Sequence, residues 1–122
     1  MNIAFLCVLI MGVLPYVWIS VAKFGGAGAN NHTPREAMTK LTGYKQRAFW
    51  AHLNQFEALP LFIAGVLVAT YNHAPQHTLN LLAIIVVVLR IIYGFLYMSD
   101  LAALRSFIWF IGLGCVVAMF CI

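Results

Sequence analysis

Four long apolar segments occupy most of this 122-residue chain. They run over about residues 2–24, 44–71, 78–98 and 101–122, and a helix needs roughly 20 residues to cross a bilayer. Only 8% of the residues are charged, whereas a soluble domain carries about 25%. The pattern predicts an all-α fold, an integral membrane four-helix bundle that forms one domain.

The lysines and arginines are concentrated around one connection. The polar segment 25–43 and its flanks hold Lys23, Arg35, Lys40, Lys45 and Arg47. Arg105 follows the turn between the third and fourth segments, whereas the turn at 72–77 has neither lysine nor arginine. The positive-inside rule therefore places the first and third connections in the cytoplasm and both termini outside. The net charge of +4 is explained by this topology and does not indicate nucleic-acid binding.

Turn and cap residues predict how the segments are joined. The glycines and asparagines of residues 25–31 are expected to form a turn that ends the first helix. Thr33 and Pro34 have the residue types that start a helix, which predicts a short interfacial helix after them. Asp100 is expected to be the N-cap of the fourth helix.

Two prolines lie inside predicted spans. Pro15 is expected to bend the first helix, and Pro60 to kink the second just after Glu57, because proline lacks the amide hydrogen of a regular helix. Membrane helices tolerate such residues better than soluble helices do. The three cysteines are expected to be packing residues, and their spacing gives neither a disulfide framework nor a metal site; they are Cys7, Cys115 and Cys121.

Charged residues inside the second and third segments give the strongest functional signal. An ionisable group costs roughly 2.5–3.5 kcal/mol at the centre of a membrane helix, so Glu57 and Arg90 need a partner or a function. At about 1.5 Å per residue from the cytoplasmic end, Asn54, Glu57 and Arg90 all lie about 12–16 Å deep. We expect Glu57 and Arg90 to pair across a helix interface.

Further polar residues share these helix faces. At about 100° per residue, Arg47 lies within about 80° of Asn54 and Glu57, and Tyr93 and Tyr97 lie within about 60° of Arg90. Arg105 and Ser106, in the first turns of the fourth segment, are expected at the mouth of the same pocket.

Such a pocket would suit a small, multiply charged, water-soluble ligand that enters from the cytoplasm. Arginine holds carboxylates bidentately, and Glu57 could accept from an ammonium or amide group. Arg105 with Ser106 could stabilise an anion such as a thiolate, since an adjacent cation lowers a thiol pKa from its usual value of about 8.5.

Structural interpretations of the same residues stay open. The Arg90–Glu57 pair could only fix helix register, and Asn54 could make an interhelical hydrogen bond. Tyr93, Tyr97 and Trp109 could be interfacial aromatic residues, and Arg105 could be a topology signal. His52 points about 160° away from Asn54, so we interpret it as a packing or interfacial residue. His73 and His77 are expected to be solvated turn residues.

One stretch of the second segment is similar to a known family. Ala51-His52-Leu53-Asn54-Gln55-Phe56-Glu57, followed by Pro60 and Phe62, resembles the second-helix motif of the MAPEG family, the membrane-associated proteins in eicosanoid and glutathione metabolism. The resemblance continues through Arg90, Tyr93 and Tyr97, and resumes at Arg105-Ser106 and Trp109. It covers essentially the whole chain. Residues 31–35 look typical of bacterial relatives, which implies a bacterial inner membrane.

The resemblance implies a homotrimer of four-helix subunits that binds glutathione between neighbouring subunits near the cytoplasmic face. The expected activity is that of a glutathione-dependent transferase or peroxidase acting on small hydrophobic electrophiles. Arg105 and Ser106 would stabilise the thiolate, and Tyr97 would orient it. The other polar contacts to glutathione would come from Asn54, Glu57, Arg90 and Tyr93.

One position departs from the family pattern. Glutathione-using members often carry an arginine immediately before the asparagine, where this chain has Leu53. A ligand carboxylate would then need Arg47, Lys45 or an arginine of the first loop.

Three other functions stay open: a non-catalytic lipid- or partner-binding bundle, which Leu53 favours slightly, a small multidrug transporter, and a purely structural membrane subunit. The transporter fits less well, because Arg90 beside Glu57 would hold the carboxylate ionised.

Overall fold

The computed structural model describes residues 1–24 and 32–122 as an all-helical bundle. The described residues form five helices: α1 (Ile3–Lys23), α2 (Pro34–Thr39), α3 (Gly43–Tyr71), α4 (Gln76–Met98) and α5 (Ala102–Met119). Four of these, all except α2, are long and apolar enough to cross a membrane. The predicted turn at residues 25–31 lies outside the described residues.

The four spanning helices follow the apolar segments closely. Helix α1 is one residue shorter than its predicted span at each end, and α3 begins one residue before its predicted start. Helix α4 begins two residues before the predicted start, directly after Pro75. Helix α5 ends three residues before the predicted end. The apolar pattern thus predicted every span, while the local backbone decides where each helix begins and ends.

The main core lies where α1, α3, α4 and α5 meet. Its buried residues include Met11 on α1, Phe62 and Val66 on α3, Val86 on α4 and Val116 on α5. Helix α1 packs mainly against α3, and α5 packs mainly against α4. This arrangement leaves α3 and α4 in the middle of the subunit, so their facing side chains line its interior.

The predicted short helix after Thr33 is present as α2, with Pro34 as its first residue. It packs on the bundle through Met38, which joins Leu41 of the following turn in a small cluster with Ala22 of α1 and Ala48 of α3. The polar connection is therefore anchored to the end of the bundle at which α1 ends and α3 begins.

Two helices end on residues with a left-handed backbone. His73 has φ 56° after α3, and Asp100 has φ 60° after α4. At Asp100 the amides of Asp100 and Leu101 donate to the carbonyls of Tyr97 and Leu96, which is the Schellman pattern of a helix C-terminus. The prediction that Asp100 is the N-cap of the next helix is therefore wrong, because it closes α4 and Leu101 precedes α5.

The cysteines differ in their surroundings. Cys7 is buried, Cys115 is half-buried against the main core, and Cys121 is exposed. The packing role predicted for all three is wrong for Cys121 in the single subunit, because its side chain is exposed just beyond the end of α5 at Met119.

Side-chain amides join two helix starts at the opposite end of the bundle. The Asn2 amide nitrogen donates to the Gln76 side-chain oxygen at 3.1 Å, and Gln76 donates back to Asn2 at 3.1 Å and to Asn80 at 2.7 Å. These bonds hold the start of α1 against the start of α4, away from the charged residues of the spans.

Candidate functional site

Arg90 carries a positive charge into the interior of the bundle. It is only 6% exposed. Its Nε donates to Gln55 Oε1 at 2.9 Å, and its Nη2 donates to Asn54 Oδ1 at 2.9 Å. The guanidinium also lies over the Tyr93 ring, with Cζ 4.2 Å from the ring centroid. All three partners are formally neutral, so hydrogen bonds and the ring face replace the water that the cation has lost.

A proline in α1 helps to fix the orientation of Arg90. Pro15 has no amide hydrogen, so the carbonyl of Met11, four residues earlier, lacks its regular helical donor. Gln55 supplies one, since its Nε2 donates to the Met11 carbonyl at 3.1 Å. Gln55 is fully buried, and its oxygen faces Arg90 at the same time. The amide thus links the backbone of α1 to the guanidinium on α4.

Gln55 is not among the residues that the sequence predicted for the site. The available signal was Pro15, which predicts a carbonyl without its helical donor in α1. The residue that supplies the missing donor depends on the register of α1 against α3, which the sequence does not reveal.

Glu57 does not form the predicted ion pair with Arg90. Within the described part of the chain, the ion pair found joins Lys40 and Glu36 at 3.9 Å. Asn54 stands between the two groups instead, since its Nδ2 donates to Glu57 Oε2 at 3.4 Å while its Oδ1 accepts from Arg90. Glu57 is exposed in the single subunit, and it also lines the cavity beside Asn54 and Arg90.

Aromatic rings connect Arg90 with Arg105. The Tyr93 and Tyr97 rings meet edge to face, with centroids 5.7 Å apart. Arg105 lies over the second of these rings, with its Cζ 4.2 Å from the Tyr97 ring centroid. Tyr93 is 5% exposed, so it is an interior residue and does not belong to an interfacial aromatic belt.

Arg47 and Ser106 lie at the edges of this arrangement. Arg47 Nε donates at 2.9 Å to the carbonyl of Met98, the last residue of α4, where a cation suits the negative end of the helix dipole. Arg47 lines neither of the two cavities between the helices, and the contact that the structure gives it is with the end of α4. Ser106 is exposed in the first turns of α5, next to Arg105.

A cavity of about 210 Å³ opens between α3, α4 and α5. Its polar end is formed by Asn54, Glu57, Arg90 and Tyr93. The rest of its wall is mostly aliphatic and aromatic and extends toward the main core. We call this part the apolar arm, and its defining residues are Leu61, Phe62, Val86, Gly112, Leu113 and Val116.

A more open groove of about 420 Å³ adjoins the polar end of the cavity. It is lined by Trp50, Leu53, Asn54, Glu57 and Tyr97. Asn54 and Glu57 belong to both walls, so a ligand in the groove would reach the entrance of the cavity. Five of the eight residues predicted for the site line the two cavities: Asn54, Glu57, Arg90, Tyr93 and Tyr97. Arg105 contacts the Tyr97 ring. Arg47 and Ser106 line neither cavity.

Three histidines, His52, His73 and His77, line neither wall of the polar site. His52 lies between the rings of Phe49 and Phe56, with centroid distances of 5.9 and 5.1 Å, in agreement with the predicted packing role. His73 and His77 are exposed at the far end of the bundle, although His77 lies in the first turn of α4 and not in the turn itself.

Comparison with known proteins adds one match to this geometry. Residues 3–122 match the family described as the MAPEG family. The chain belongs to the MAPEG family. The match covers essentially the whole chain, so the polar site and the apolar arm both lie within the MAPEG region. Searches of curated proteins and of solved structures returned no match. The four apolar helices and this membership make the chain an integral multi-pass membrane protein.

Proposed function

We propose that this MAPEG protein is a glutathione-dependent transferase or peroxidase that acts on small hydrophobic electrophiles. The observation that carries the proposal is the buried Arg90, whose recorded partners are all neutral. A guanidinium has five N–H donors, and hydrogen bonds to Gln55 and Asn54 use two of them. The remaining donors suit a ligand carboxylate.

In this proposal the groove holds glutathione and the adjoining cavity holds the hydrophobic electrophile. Glutathione is polar and multiply charged, which suits the groove beside Asn54, Glu57 and Tyr97. The Asn54 amide would bind a peptide group of glutathione, and the Glu57 carboxylate would bind its amino group. Arg90 and Tyr93 lie beyond the groove, at the polar end of the cavity. Arg105, over the Tyr97 ring, is placed to stabilise a thiolate together with Ser106. Tyr97 orients the sulfur.

The proposed assembly is a homotrimer with the site between neighbouring subunits. Glu57 and Ser106 are exposed in the single subunit, and one wall of the groove is open. A neighbouring subunit would close this side of the groove. It could also supply a cation for one carboxylate of glutathione, because this chain has Leu53 where glutathione-using members often carry an arginine. The proposed setting is a bacterial inner membrane, with the groove on the cytoplasmic side and both termini outside.

Glutathione binding is tested by calorimetric titration of the protein purified in mild detergent. The expected result is saturable heat together with a rise in Tm. Absence of both at millimolar glutathione would contradict the proposal.

The role of Arg105 is tested by the ultraviolet absorbance of the bound thiolate. Arg105→Ala should remove the thiolate band, because the fixed cation beside the sulfur is lost. Arg105→Lys keeps the charge and is the matched control, with at least part of the band retained. A band unchanged in Arg105→Ala would remove Arg105 from the mechanism.

A non-catalytic lipid- or partner-binding role is the second candidate, and Leu53 favours it. Its side chain is 43% exposed and lines the groove at the position where glutathione-using relatives often carry arginine. This alternative predicts lipid retained through mild purification and no thiolate band. Mass spectrometry of small molecules released from the protein distinguishes the two roles.

A further inference from the structure

The charged side chains of this protein are concentrated at one end of the bundle. Every lysine and arginine except Arg90 lies near the end at which α1 and α4 finish and α3 and α5 begin. Two carboxylates, Glu36 and Asp100, lie at the same end, so the cations are in excess. The opposite end has no lysine, arginine, aspartate or glutamate; it consists of residues 1–3, 72–77 and 120–122.

Two of these cations are already engaged within the subunit. Arg47 donates to the Met98 carbonyl, and Arg105 lies over the Tyr97 ring. The other four form a set that we call the cationic collar: Lys23, Arg35, Lys40 and Lys45. None of the four lines the cavity or the groove, so the collar is a different surface from the polar site.

Helix α2 carries part of the collar and lies beside the ends of the spans. Its Met38 shares a buried cluster with Ala22 and Ala48. Ala22 is one residue before the end of α1, and Ala48 lies in the second turn of α3. Helix α2 thus packs against the sides of two spans near their ends, as an interfacial helix does. Attraction to a charged membrane surface extends over about 10 Å, so this position brings Arg35 and Lys40 within its range.

The two faces of α2 differ in polarity. Ala37 and Met38 are buried against the bundle, whereas Arg35, Glu36 and the following Lys40 are exposed. The Lys40 nitrogen lies 3.9 Å from a Glu36 carboxylate oxygen, with side chains that are 73% and 65% exposed. So exposed an ion pair contributes little, and Lys40 can exchange this partner for a stronger anion.

Exposed aromatic rings next to the collar indicate what this surface meets. Phe24 directly follows α1 and Lys23, and Tyr44 precedes Lys45 in the first turn of α3. Both rings are largely exposed. Aromatic residues beside cations are typical of the headgroup level of a membrane. The combination favours a lipid over an acidic protein in the aqueous phase, because the exposed rings need an apolar neighbour.

We propose that the cationic collar binds the phosphodiester headgroups of anionic phospholipids. Arg35 offers a planar fork that matches two phosphate oxygens, and the lysines act as compact point charges. The positive-inside rule accounts for cations on this side of the membrane, but it does not require them on a helix that packs against the spans. The inference goes beyond the proposed function and does not depend on glutathione binding.

Native mass spectrometry of the purified protein in neutral detergent tests lipid binding. The protein is titrated with phosphatidylglycerol, and with phosphatidylcholine that has the same acyl chains and no net charge. We expect phosphatidylglycerol to bind more tightly. The preference should shrink as the salt concentration rises, because ions screen exposed charges.

Variants of α2 test whether the collar is the binding surface. Arg35→Gln and Lys40→Gln should each weaken phosphatidylglycerol binding about fivefold, the effect of one cation near an anionic membrane surface. Arg35→Lys keeps the charge and is the matched control, so it should retain most of the affinity. Glu36→Gln should strengthen binding, because it removes the carboxylate beside Lys40. The Tm of each variant without lipid shows that it is folded.

Three results would overturn the inference. Equal affinity for the two lipids would show that the protein does not recognise headgroup charge. Unchanged phosphatidylglycerol binding in the Arg35→Gln/Lys40→Gln double variant would place the lipid on another surface. Displacement of the lipid by millimolar inorganic phosphate or by polyglutamate would assign the collar to a soluble anion or to an acidic protein segment. The expected pattern in a protein that fails to bind glutathione would support the lipid surface and contradict the proposed function alone.

Discussion

Arg90 shows how this chain places a charge inside a membrane protein without a direct ion pair. Removing a cation from water costs several kcal/mol even after relaxation. Here two side-chain oxygens and one ring face supply the hydrogen bonds and the cation–π contact, and Glu57 is hydrogen-bonded to Asn54 and not to Arg90. Neutral partners leave the positive charge available to an anionic ligand. A direct carboxylate partner would have neutralised it.

Gln55→Leu tests the link between α1 and Arg90. The substitution removes the acceptor of Arg90 Nε and the donor to the Met11 carbonyl, and a buried group left unpaired costs about 1–3 kcal/mol. We expect the free energy of unfolding to fall by about 2 kcal/mol. The measurement is reversible denaturation in mixed detergent micelles. Glutathione affinity should fall as well, because the guanidinium loses one of its two fixed hydrogen bonds.

The matched control is Gln46→Leu. Gln46 lies on the same helix, near its start, and is partly exposed. The same chemical change there should alter stability by no more than about 0.5 kcal/mol. Equal effects at the two positions would show that Gln55 has no special role.

At the scale of the helices, close packing of α1 against α4 sets the position of the site. Gly94 of α4 lies against the Trp18 indole of α1, and a Cβ built on Gly94 would overlap Trp18 Cζ2. Trp18 is 3% exposed, so it has little room to move. Gly94 and Arg90 are one turn apart on α4, so the close contact of Gly94 with Trp18 fixes the distance between α1 and the part of α4 that carries Arg90.

Gly94→Ala is expected to destabilise the protein although alanine favours helices. Overpacking costs about 1–3 kcal/mol, and the gain in helix propensity of about 1 kcal/mol offsets only part of it. Thermal unfolding should show a lower Tm. Gly12→Ala on α1, where a Cβ meets nothing within 4 Å, should leave Tm unchanged or raise it. Trp18→Leu should reduce the effect of Gly94→Ala, and an undiminished effect would rule out the contact as its cause.

The sequence predicted the helices better than their ends, and the common level of the polar residues better than their pairing. Apolar runs fix where a membrane helix must lie, because every backbone group needs a partner inside the bilayer. Asp100 could equally begin α5 or end α4, and only the backbone angle decided this. Asn54 and Arg90 lie at the same level of the bundle and are hydrogen-bonded, but the bond to Gln55 depends on the packing of α1.

At the scale of the whole molecule, the surface indicates what surrounds the subunit. Large apolar side chains are exposed along the spanning helices, among them Leu9 and Val13 on α1, Leu81 and Val88 on α4, and Phe107 on α5. A soluble monomer rarely exposes such extended apolar surface, whereas lipid or a neighbouring subunit covers it without cost. The open side of the groove is where the proposed trimer would place that neighbour.

Native mass spectrometry of the protein in mild detergent, with glutathione added, tests the proposed ligand and the proposed assembly together. It measures the number of subunits and the bound ligand in one spectrum. We expect a trimer of the 13.6 kDa chain that gains the mass of glutathione, with the added mass reduced in Gln55→Leu and retained in Gln46→Leu. A protein that stays without added mass at saturating glutathione, or that gains it equally in both variants, would rule out the glutathione site around Arg90.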